Sequence, residues 1–295
     1  MAAAIIDGKA IAEQVKGEVR VKTESLRASR GITPGLAFIL VGENPASQVY
    51  VRSKGKACAE LGFHSVTHEL SAETSQAKLL ELIAVLNADS AVHGILVQLP
   101  LPSHINEQAV LEAIDYRKDV DGFHPVNVGR LVIGLDSLRP CTPSGIQELL
   151  TRSGHDPSGC HVVVVGRSNI VGKPIANILL QKRNGANAVV TVAHTGARDL
   201  SRFTREGDIV IAAVGKAGAV TGAMLKPGAV VIDVGINRIP DASAPKGSRI
   251  VGDVDFASAS EVASAITPVP GGVGPMTIAM LMLNTYRAAE GRVYS

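Results

Sequence analysis

Residues 162–174 read Val-Val-Val-Val-Gly-Arg-Ser-Asn-Ile-Val-Gly-Lys-Pro, a run of valines followed by two closely spaced glycines. Four consecutive valines are typical of a strand covered on both faces, as in a parallel sheet. Gly166 then permits a tight turn, and a helix is predicted to start near Gly172. The unpaired N–H groups and the dipole at such a helix start attract an anion. The stretch therefore predicts a phosphate site at the carboxyl end of a parallel strand.

Arg167 and Ser168 follow the turn, where a charged fork and a hydroxyl can hold a phosphate. The glycine spacing differs from the G-x-G-x-x-G of ordinary dinucleotide-binding turns. The acidic residue that usually ends the next strand and binds a ribose hydroxyl is missing, because His194 and Thr195 stand there. With no carboxylate to repel a 2′-phosphate, the pattern favours NADP over NAD. A tight turn with a surface arginine is the alternative.

Outward from this stretch, the second half of the chain predicts a doubly wound parallel sheet. A helix starts at Thr142, strands cover 162–165, 188–193, 209–214 and 229–234, and a helix covers 172–183. The Pro- and Gly-rich stretch 267–277 is predicted to be irregular until Pro275 opens a last helix.

In the first half, helical and strand patterns also alternate, which predicts a second parallel sheet with crossover helices. Strands are predicted over 36–41, 64–70 and 93–98, and helices over 11–26, 45–61 and 79–86, the first of them stopped by Gly31. A chain of 295 residues is long enough for about two such domains.

Composition excludes several classes of protein. Hydrophobic residues make up 46% and charged residues 19%, which excludes a disordered chain. The net charge of +2 gives no broad electrostatic footprint for nucleic acid or anionic lipid. The three cysteines are an odd number without paired spacing, which fits a reducing compartment. With no signal peptide and no long apolar run, the sequence predicts a soluble, cytoplasmic protein.

A second group of candidate residues lies in the first half. Tyr50 and Lys54 are four residues apart and share one face of the predicted helix. A partly buried lysine amine can act as an acid or base, although a surface lysine fits the pattern as well. Gln98 ends a predicted strand, either as a ligand contact or as a polar cap. Asp121 precedes Gly122, so it either holds N–H groups of a heterocycle or only makes a turn.

Other chemistries find little support. His64 and His68 share a strand face, but no further metal ligands lie near them in the sequence. The nucleophile elbow G-x-S-x-G, the P-loop and the zinc motif H-E-x-x-H are missing. No metal is therefore expected.

Five segments in this order resemble the bifunctional methylenetetrahydrofolate dehydrogenase/methenyltetrahydrofolate cyclohydrolase family, also called the FolD family. They are Tyr-Val-Arg-Ser-Lys (50–54), Val-Gln-Leu-Pro-Leu-Pro (97–102), Lys-Asp-Val-Asp-Gly-Phe (118–123), Gly-Arg-Ser-Asn-Ile-Val-Gly-Lys-Pro (166–174) and Pro-Val-Pro-Gly-Gly-Val-Gly-Pro-Met-Thr (268–277).

The resemblance implies two α/β domains, the second Rossmann-like, a cleft between them that holds folate and NADP, and a homodimer. Residues 1–140, completed by a C-terminal helix over 276–295, would bind folate, and residues 141–275 would bind NADP. Lys54 would be catalytic, with Gln98 tuning its protonation, and Asp121 would hold the pterin ring. The other substrate residues would be Tyr50, Val97, Leu99, Pro270, Gly271, Gly272, Gly274 and Pro275. The cofactor residues would be Gly166, Arg167, Ser168, Thr195, Ile236 and Thr277.

The implied activity is oxidation of 5,10-methylenetetrahydrofolate with NADP, followed by hydrolysis of the 5,10-methenyl product to 10-formyltetrahydrofolate. Members of the family usually carry Ser where this chain has His194-Thr195, and Thr keeps the hydroxyl. A dehydrogenase without hydrolase activity and a non-catalytic folate or nucleotide binder are the alternatives, which the intact set of Tyr50, Lys54, Gln98 and Asp121 disfavours.

Overall fold

The chain forms two compact units, each built around a parallel sheet. The structure is a computed structural model and describes residues 2–243 and 247–294. The six-stranded unit comprises Met1–Glu13 and Thr142–Thr277, and the three-stranded unit comprises Gln14–Cys141 and Ile278–Ser295. The predicted α/β class with two parallel sheets is confirmed.

The elements alternate along most of the chain. The strands are β1 (Ala4–Ile5), β2 (Gly35–Val41), β3 (His64–Leu70), β4 (Gly94–Val97), β5 (His161–Val165), β6 (Val189–Ala193), β7 (Ile209–Ala212), β8 (Val230–Asp233), β9 (Asn237–Pro240), β10 (Ser248–Val251) and β11 (Ala265–Ile266). The helices are α1 (Gly8–Arg30), α2 (Pro45–Glu60), α3 (Gln76–Ala88), α4 (Glu107–Ala113), α5 (Pro125–Val132), α6 (Cys141–Arg152), α7 (Gly172–Leu179), α8 (Ser201–Thr204), α9 (Phe256–Val262) and α10 (Val273–Glu290), with a 3₁₀ turn at Gly222–Met224.

In the six-stranded unit, the strands lie in the order β1-β11-β8-β7-β5-β6, and all neighbouring pairs are parallel. The four valines of β5 are fully buried, as strands covered on both faces require. After β5 the chain adds β6 on one side and β7 on the other, so the carboxyl end of β5 is a topological switch point. Ligands of open α/β sheets bind at such points.

Two strands of this sheet escaped sequence analysis because they are only two residues long, too short to show periodicity. β1 pairs with β11, which in turn pairs with β8. This pairing places the first thirteen residues with the six-stranded unit, whereas the sequence analysis grouped them with the rest of residues 1–140. The hairpin of β9 and β10 forms a separate antiparallel sheet and was not predicted either.

The three-stranded unit has the strand order β3-β2-β4, all parallel. All residues of the central strand β2 are buried, and its ends agree with the predicted strand within a residue. α3 begins where the Ser75 hydroxyl accepts a hydrogen bond from the N–H of Lys78. The helical spacing of Leu79, Leu82, Ile83 and Leu86 predicts an apolar stripe; Leu79, Ile83 and Leu86 are buried in the core, and Leu82 is half-buried against it.

Several predicted helix boundaries are wrong. The C-terminal helix, predicted over 276–295, ends at Glu290. The helix predicted over 172–183 ends at Leu179, because the Leu179 carbonyl accepts from the N–H of Ala188 instead of from a next helical turn. The last helix begins at Val273, within the stretch predicted to be irregular. Pro275 is its third residue, where a helix has no partner for the N–H that proline lacks.

Among the described residues, no helix is both long enough and apolar enough to cross a membrane.

Candidate active site

Lys54 is a buried residue of α2. The helix begins at Pro45, where the Asn44 side chain accepts a hydrogen bond from the N–H of Ser47. Lys54 is only 7% exposed. The alternative that Lys54 is a surface lysine is therefore excluded. Its amine is largely shielded from water, so the side chains around it determine its environment.

The partner of Lys54 is Gln98, as the sequence analysis expected. The Nζ of Lys54 donates to the Oε1 of Gln98 at 3.0 Å. Gln98 directly follows β4, and its backbone N–H still donates to the carbonyl of Ile39 in β2. Its Nε2 donates to the carbonyl of Leu99 at 2.8 Å, which turns the amide oxygen toward Lys54. Helix α2 carries Lys54, and the end of β4 carries Gln98, so the backbone of the three-stranded unit holds both partners.

Asp121 lies in a turn that a different carboxylate builds. Asp119 is buried and accepts hydrogen bonds from the N–H groups of Gly122 and His124 and from the side-chain amide of Asn127. Gly122 has φ +76°, a left-handed conformation that glycine adopts without strain. Within the described part of the chain, the Asp121 carboxylate makes no hydrogen bond. Because Asp119 supplies the turn, Asp121 is available to a ligand.

The charges of the three-stranded unit couple Asp121 to Lys54. Burial raises the pKa of Asp121 to about 6, the positive charge of Lys54 lowers it, and the nearby Asp119 raises it. Three separate segments of the chain therefore bring together an amine, an amide and a carboxylate that interact: Lys54 is hydrogen-bonded to Gln98, and its charge acts on Asp121. At neutral pH this group offers an ionised carboxylate, an amine and an amide.

The remaining predicted substrate residues of this unit differ in accessibility. Tyr50 is 41% exposed, one helical turn before Lys54. Leu99 is half-buried, whereas the Val97 side chain belongs to the apolar core beneath β4. Val97 can therefore meet a ligand only through its backbone.

In the six-stranded unit, the backbone of the turn after β5 lies very close to the backbone at the end of the neighbouring strand β7. Gly166 has φ +127°, and a Cβ there would lie 2.1 Å from the carbonyl oxygen of Ala213. Ser168 Oγ accepts from the N–H groups of Val171 and Gly172, at 3.2 and 3.3 Å, where α7 begins. Only glycine fits at position 166, so the turn can expose its N–H groups and the side chains that follow them.

The side chains of this turn can meet a phosphate. Arg167 and Ser168 are exposed, and no described residue forms an ion pair with Arg167. At the end of β6, Thr195 is exposed, and His194 Nδ1 accepts from the N–H of Gly196. The strand end therefore carries a hydroxyl and an imidazole and no carboxylate, as NADP requires.

The other predicted cofactor residues lie at further loop ends of this unit. Ile236 follows β8 and is 53% exposed. The Thr277 hydroxyl shares a hydrogen bond of 2.8 Å with the hydroxyl of Thr142 in the first turn of α6. An exposed isoleucine offers an apolar surface for a flat ring, and the paired hydroxyls offer a polar edge.

The predicted substrate residues of the Pro- and Gly-rich loop also belong to this unit. Pro270 is exposed, Gly271 is half-buried and Gly272 is buried. Gly274 and Pro275 lie in the first turn of α10 and are half-buried. The loop thus presents backbone groups rather than reactive side chains.

Sequence reasoning missed two buried aspartates that shape these loop ends. Asp253 accepts hydrogen bonds from the N–H groups of Val214 and Gly215 and from the side-chain amide of Asn237. Because Asp253 binds the N–H of Val214, β7 ends at Ala212, two residues earlier than predicted. Asp233 accepts from the N–H groups of Gly235, Asp253 and Val254, and burial raises its pKa to about 6. The available signal was an acidic residue at the carboxyl end of an otherwise apolar strand.

No three His, Cys, Asp or Glu side chains converge on a possible metal position within residues 2–243 and 247–294.

Comparisons with known proteins agree with this description of both units. Residues 6–121 match the family model "Tetrahydrofolate dehydrogenase/cyclohydrolase, catalytic domain", and residues 140–293 match "Tetrahydrofolate dehydrogenase/cyclohydrolase, NAD(P)-binding domain". The chain is 57% identical over 291 residues to the bifunctional protein FolD of Syntrophobacter fumaroxidans, covering 98% of each chain. It is 59% identical over 286 residues to the corresponding protein of Magnetococcus marinus, covering 97% of each.

Solved structures give the same result. The structure is similar to that of the bifunctional methylenetetrahydrofolate dehydrogenase/cyclohydrolase of Campylobacter jejuni, with a TM-score of 0.92, 50% identity and 99% and 100% of the two chains covered. It is also similar to the dehydrogenase-cyclohydrolase of Trypanosoma brucei in complex with NADP and an inhibitor, with a TM-score of 0.93, 42% identity and 100% of both chains covered.

Proposed function

The chain belongs to the tetrahydrofolate dehydrogenase/cyclohydrolase family, and we propose that it performs both reactions for which the family is named. It oxidises 5,10-methylenetetrahydrofolate to the 5,10-methenyl cation with NADP, and it hydrolyses that cation to 10-formyltetrahydrofolate. The observation that carries the second activity is the buried pair of Lys54 and Gln98 beside Asp121.

We assign folate and NADP to two different parts of the chain. Folate binds to residues 1–140 together with 276–295, and NADP binds to residues 141–275. The support for this division is the catalytic-domain match over 6–121 and the NAD(P)-domain match over 140–293.

NADP fits the residues of the six-stranded unit. When bound, it accepts the hydride that leaves the methylene carbon of the folate. Gly166 lets the backbone approach the phosphates, and the exposed guanidinium of Arg167 with the Ser168 hydroxyl holds the 2′-phosphate. Thr195 contacts the adenosine end, while Ile236 and Thr277 contact the nicotinamide end.

Asp121 holds the folate. At neutral pH its carboxylate is mostly ionised, since its pKa is about 6, and it accepts hydrogen bonds from N–H groups of the pterin ring. Tyr50 packs its exposed ring along the same substrate. Pterin binding at Asp121 fixes the one-carbon bridge relative to Lys54.

Lys54 moves protons during ring opening. Water attacks the methenyl carbon, and Lys54 in its unprotonated form accepts a proton from that water. The resulting ammonium returns this proton to N5 as the N5–carbon bond breaks, while the new hydroxyl on the one-carbon unit loses its proton to solvent and becomes the formyl oxygen. The formyl group remains on N10, and the overall reaction consumes one water and releases one proton. The amide oxygen of Gln98 aligns the amine at 3.0 Å throughout.

We also propose that the enzyme is a cytoplasmic homodimer that binds neither nucleic acid nor membranes. The net charge of +2 supports the absence of nucleic-acid and membrane binding, and the three free cysteines support a reducing compartment. The homodimer is what the family resemblance implies. Light scattering at micromolar concentration tests the dimer, and cell fractionation tests the location.

One assay tests the central assignment and its alternatives. Methylenetetrahydrofolate is mixed with enzyme and with NADP or NAD in turn, and absorbance follows both the reduced cofactor and the methenyl intermediate. A bifunctional enzyme produces reduced cofactor and then clears the methenyl form faster than the spontaneous reaction. Persistent methenyl product would indicate a dehydrogenase alone, and no reduced cofactor would indicate a non-catalytic binder.

A further inference from the structure

The turn that presents Asp121 is held by a buried side chain of α10. Asn284 is 3% exposed, and its Nδ2 donates to the backbone carbonyl of Val120 at 2.8 Å. The same nitrogen donates to the carbonyl of Arg139 at 2.8 Å. One amide group therefore joins two backbone segments that are 19 residues apart in sequence, Val120 and Arg139.

These two segments are in direct backbone contact beside Asp121. A Cβ on Gly122 would lie 2.4 Å from the carbonyl carbon of Arg139 and 2.5 Å from the nitrogen of Pro140. The Sγ of Cys141 donates a further hydrogen bond of 3.2 Å to the Val120 carbonyl. Burial raises the pKa of this thiol well above its ordinary value, so it stays protonated and keeps donating.

Asp121 itself has no hydrogen bond to a described residue, so its position depends on its neighbours in the turn. Asp119 fixes the turn on one side through the N–H groups of Gly122 and His124. Asn284 fixes the carbonyl of Val120, directly before Asp121, on the other side. Without Asn284 the Val120 carbonyl keeps only the weaker thiol donor of Cys141, so the peptide that carries Asp121 is held less firmly on this side.

We propose that Asn284 is a positioning residue for folate binding, which acts by orienting Asp121. This inference rests on the proposed function, because it needs Asp121 to contact the folate. Asn284 touches neither reacting atoms nor substrate in this account. Its removal should therefore weaken folate binding while leaving NADP binding as it is.

The experiment uses the full-length enzyme with Asn284→Leu, which has a similar volume and no donor. The matched control is Thr285→Val, because Thr285 is also buried on the same helix and its hydroxyl donates to the Leu281 carbonyl within α10, not to the turn that carries Asp121. Dehydrogenase KM and kcat are measured for methylenetetrahydrofolate and for NADP, and calorimetry measures NADP binding separately.

We expect Asn284→Leu to raise KM for the folate about tenfold, the scale of one or two lost hydrogen bonds, and to change NADP binding less than twofold. Thr285→Val should change neither. Asn284→Ser, which keeps one donor in a smaller side chain, should give an intermediate folate KM, and it decides the question if the leucine variant does not fold.

An unchanged folate KM in a folded Asn284 variant, or equal losses for folate and NADP, would overturn the inference. The proposed function fails by a different observation, namely wild-type enzyme that does not turn over methylenetetrahydrofolate in the same assay.

Discussion

Replacing Asp121 by Asn separates the effect of this carboxylate on the stability of the protein from its effect on folate binding. The two side chains have nearly the same shape, but Asn never ionises. Burial, opposed by Lys54 and reinforced by Asp119, raises the pKa of Asp121 from 3.8 to about 6. The ionised form is therefore disfavoured in the folded protein relative to the unfolded chain.

The sign and size of the effect follow from that difference. A carboxyl whose pKa is higher in the folded state begins to destabilise the protein as the pH rises past 3.8, and the effect is complete above about pH 6. At pH 8 the destabilisation amounts to about 3 kcal/mol, and at pH 5 to about half of that. Asp121→Asn should remove it, so the variant gains about 1 to 2 kcal/mol more stability at pH 8 than at pH 5.

The same substitution should weaken folate binding. Asn keeps one acceptor oxygen and loses the charge, so KM for methylenetetrahydrofolate should rise about tenfold at pH 8 while KM for NADP stays unchanged.

The assay is urea denaturation at pH 5 and pH 8, combined with dehydrogenase kinetics. Asp119→Asn is the comparison variant. Burial also raises the pKa of Asp119, but its carboxylate accepts three hydrogen bonds, so this variant should lose stability at both pH values. A free-energy difference between Asp121→Asn and wild type that is the same at pH 5 and pH 8 would refute the reasoning. So would a parallel rise in KM for both ligands.

Two further variants test the six-stranded unit. Arg167→Ala should weaken NADP binding by about 1.5–3 kcal/mol, the range for a charged hydrogen bond, and leave NAD binding unchanged in calorimetry; equal losses for both would show that Arg167 does not bind the 2′-phosphate. Gly166→Ala should destabilise the protein by about 3 kcal/mol or more in urea denaturation, because its Cβ would lie 2.1 Å from the Ala213 carbonyl. Gly17→Ala on α1, where the added carbon would meet no described atom within 4 Å beyond its own helix, should instead stabilise the protein by up to about 1 kcal/mol, and equal effects at the two glycines would contradict the prediction.

The predictions from sequence succeeded where many apolar residues repeat. The buried strands β2 and β5 were predicted almost to the residue, because continuous apolar runs bounded by glycine leave few alternatives. β1 and β11 are two residues long and are defined only by pairing, which a local pattern does not contain. The same reason explains the missed hairpin of β9 and β10.

The sequence indicated the side chains of the candidate site, but it did not indicate the buried residues that hold the surrounding backbone. Each of Lys54, Gln98 and Asp121 lies in a short segment that resembles the family, and these segments follow in the family's order. Their positions in the sequence were therefore enough to suggest a role for each side chain. Asp253 and Asn284 were missed, because each acts through bonds to backbone groups far along the chain. Such bonds depend on tertiary contacts that no spacing rule specifies.

The central claim is that Lys54 moves protons during ring opening, and Lys54→Met tests it most directly. Met keeps the length and the apolar stem but has no amine. The measurement is hydrolysis of methenyltetrahydrofolate at several pH values, corrected for the spontaneous reaction, with NADP binding as evidence of an intact fold. Lys54→Arg serves as the companion variant, since a guanidinium stays protonated and cannot cycle. We expect both variants to bind NADP normally and to hydrolyse the substrate no faster than buffer, with partial dehydrogenase activity in Lys54→Met. Hydrolysis near the wild-type rate in Lys54→Met would contradict the account and remove Lys54 from the mechanism.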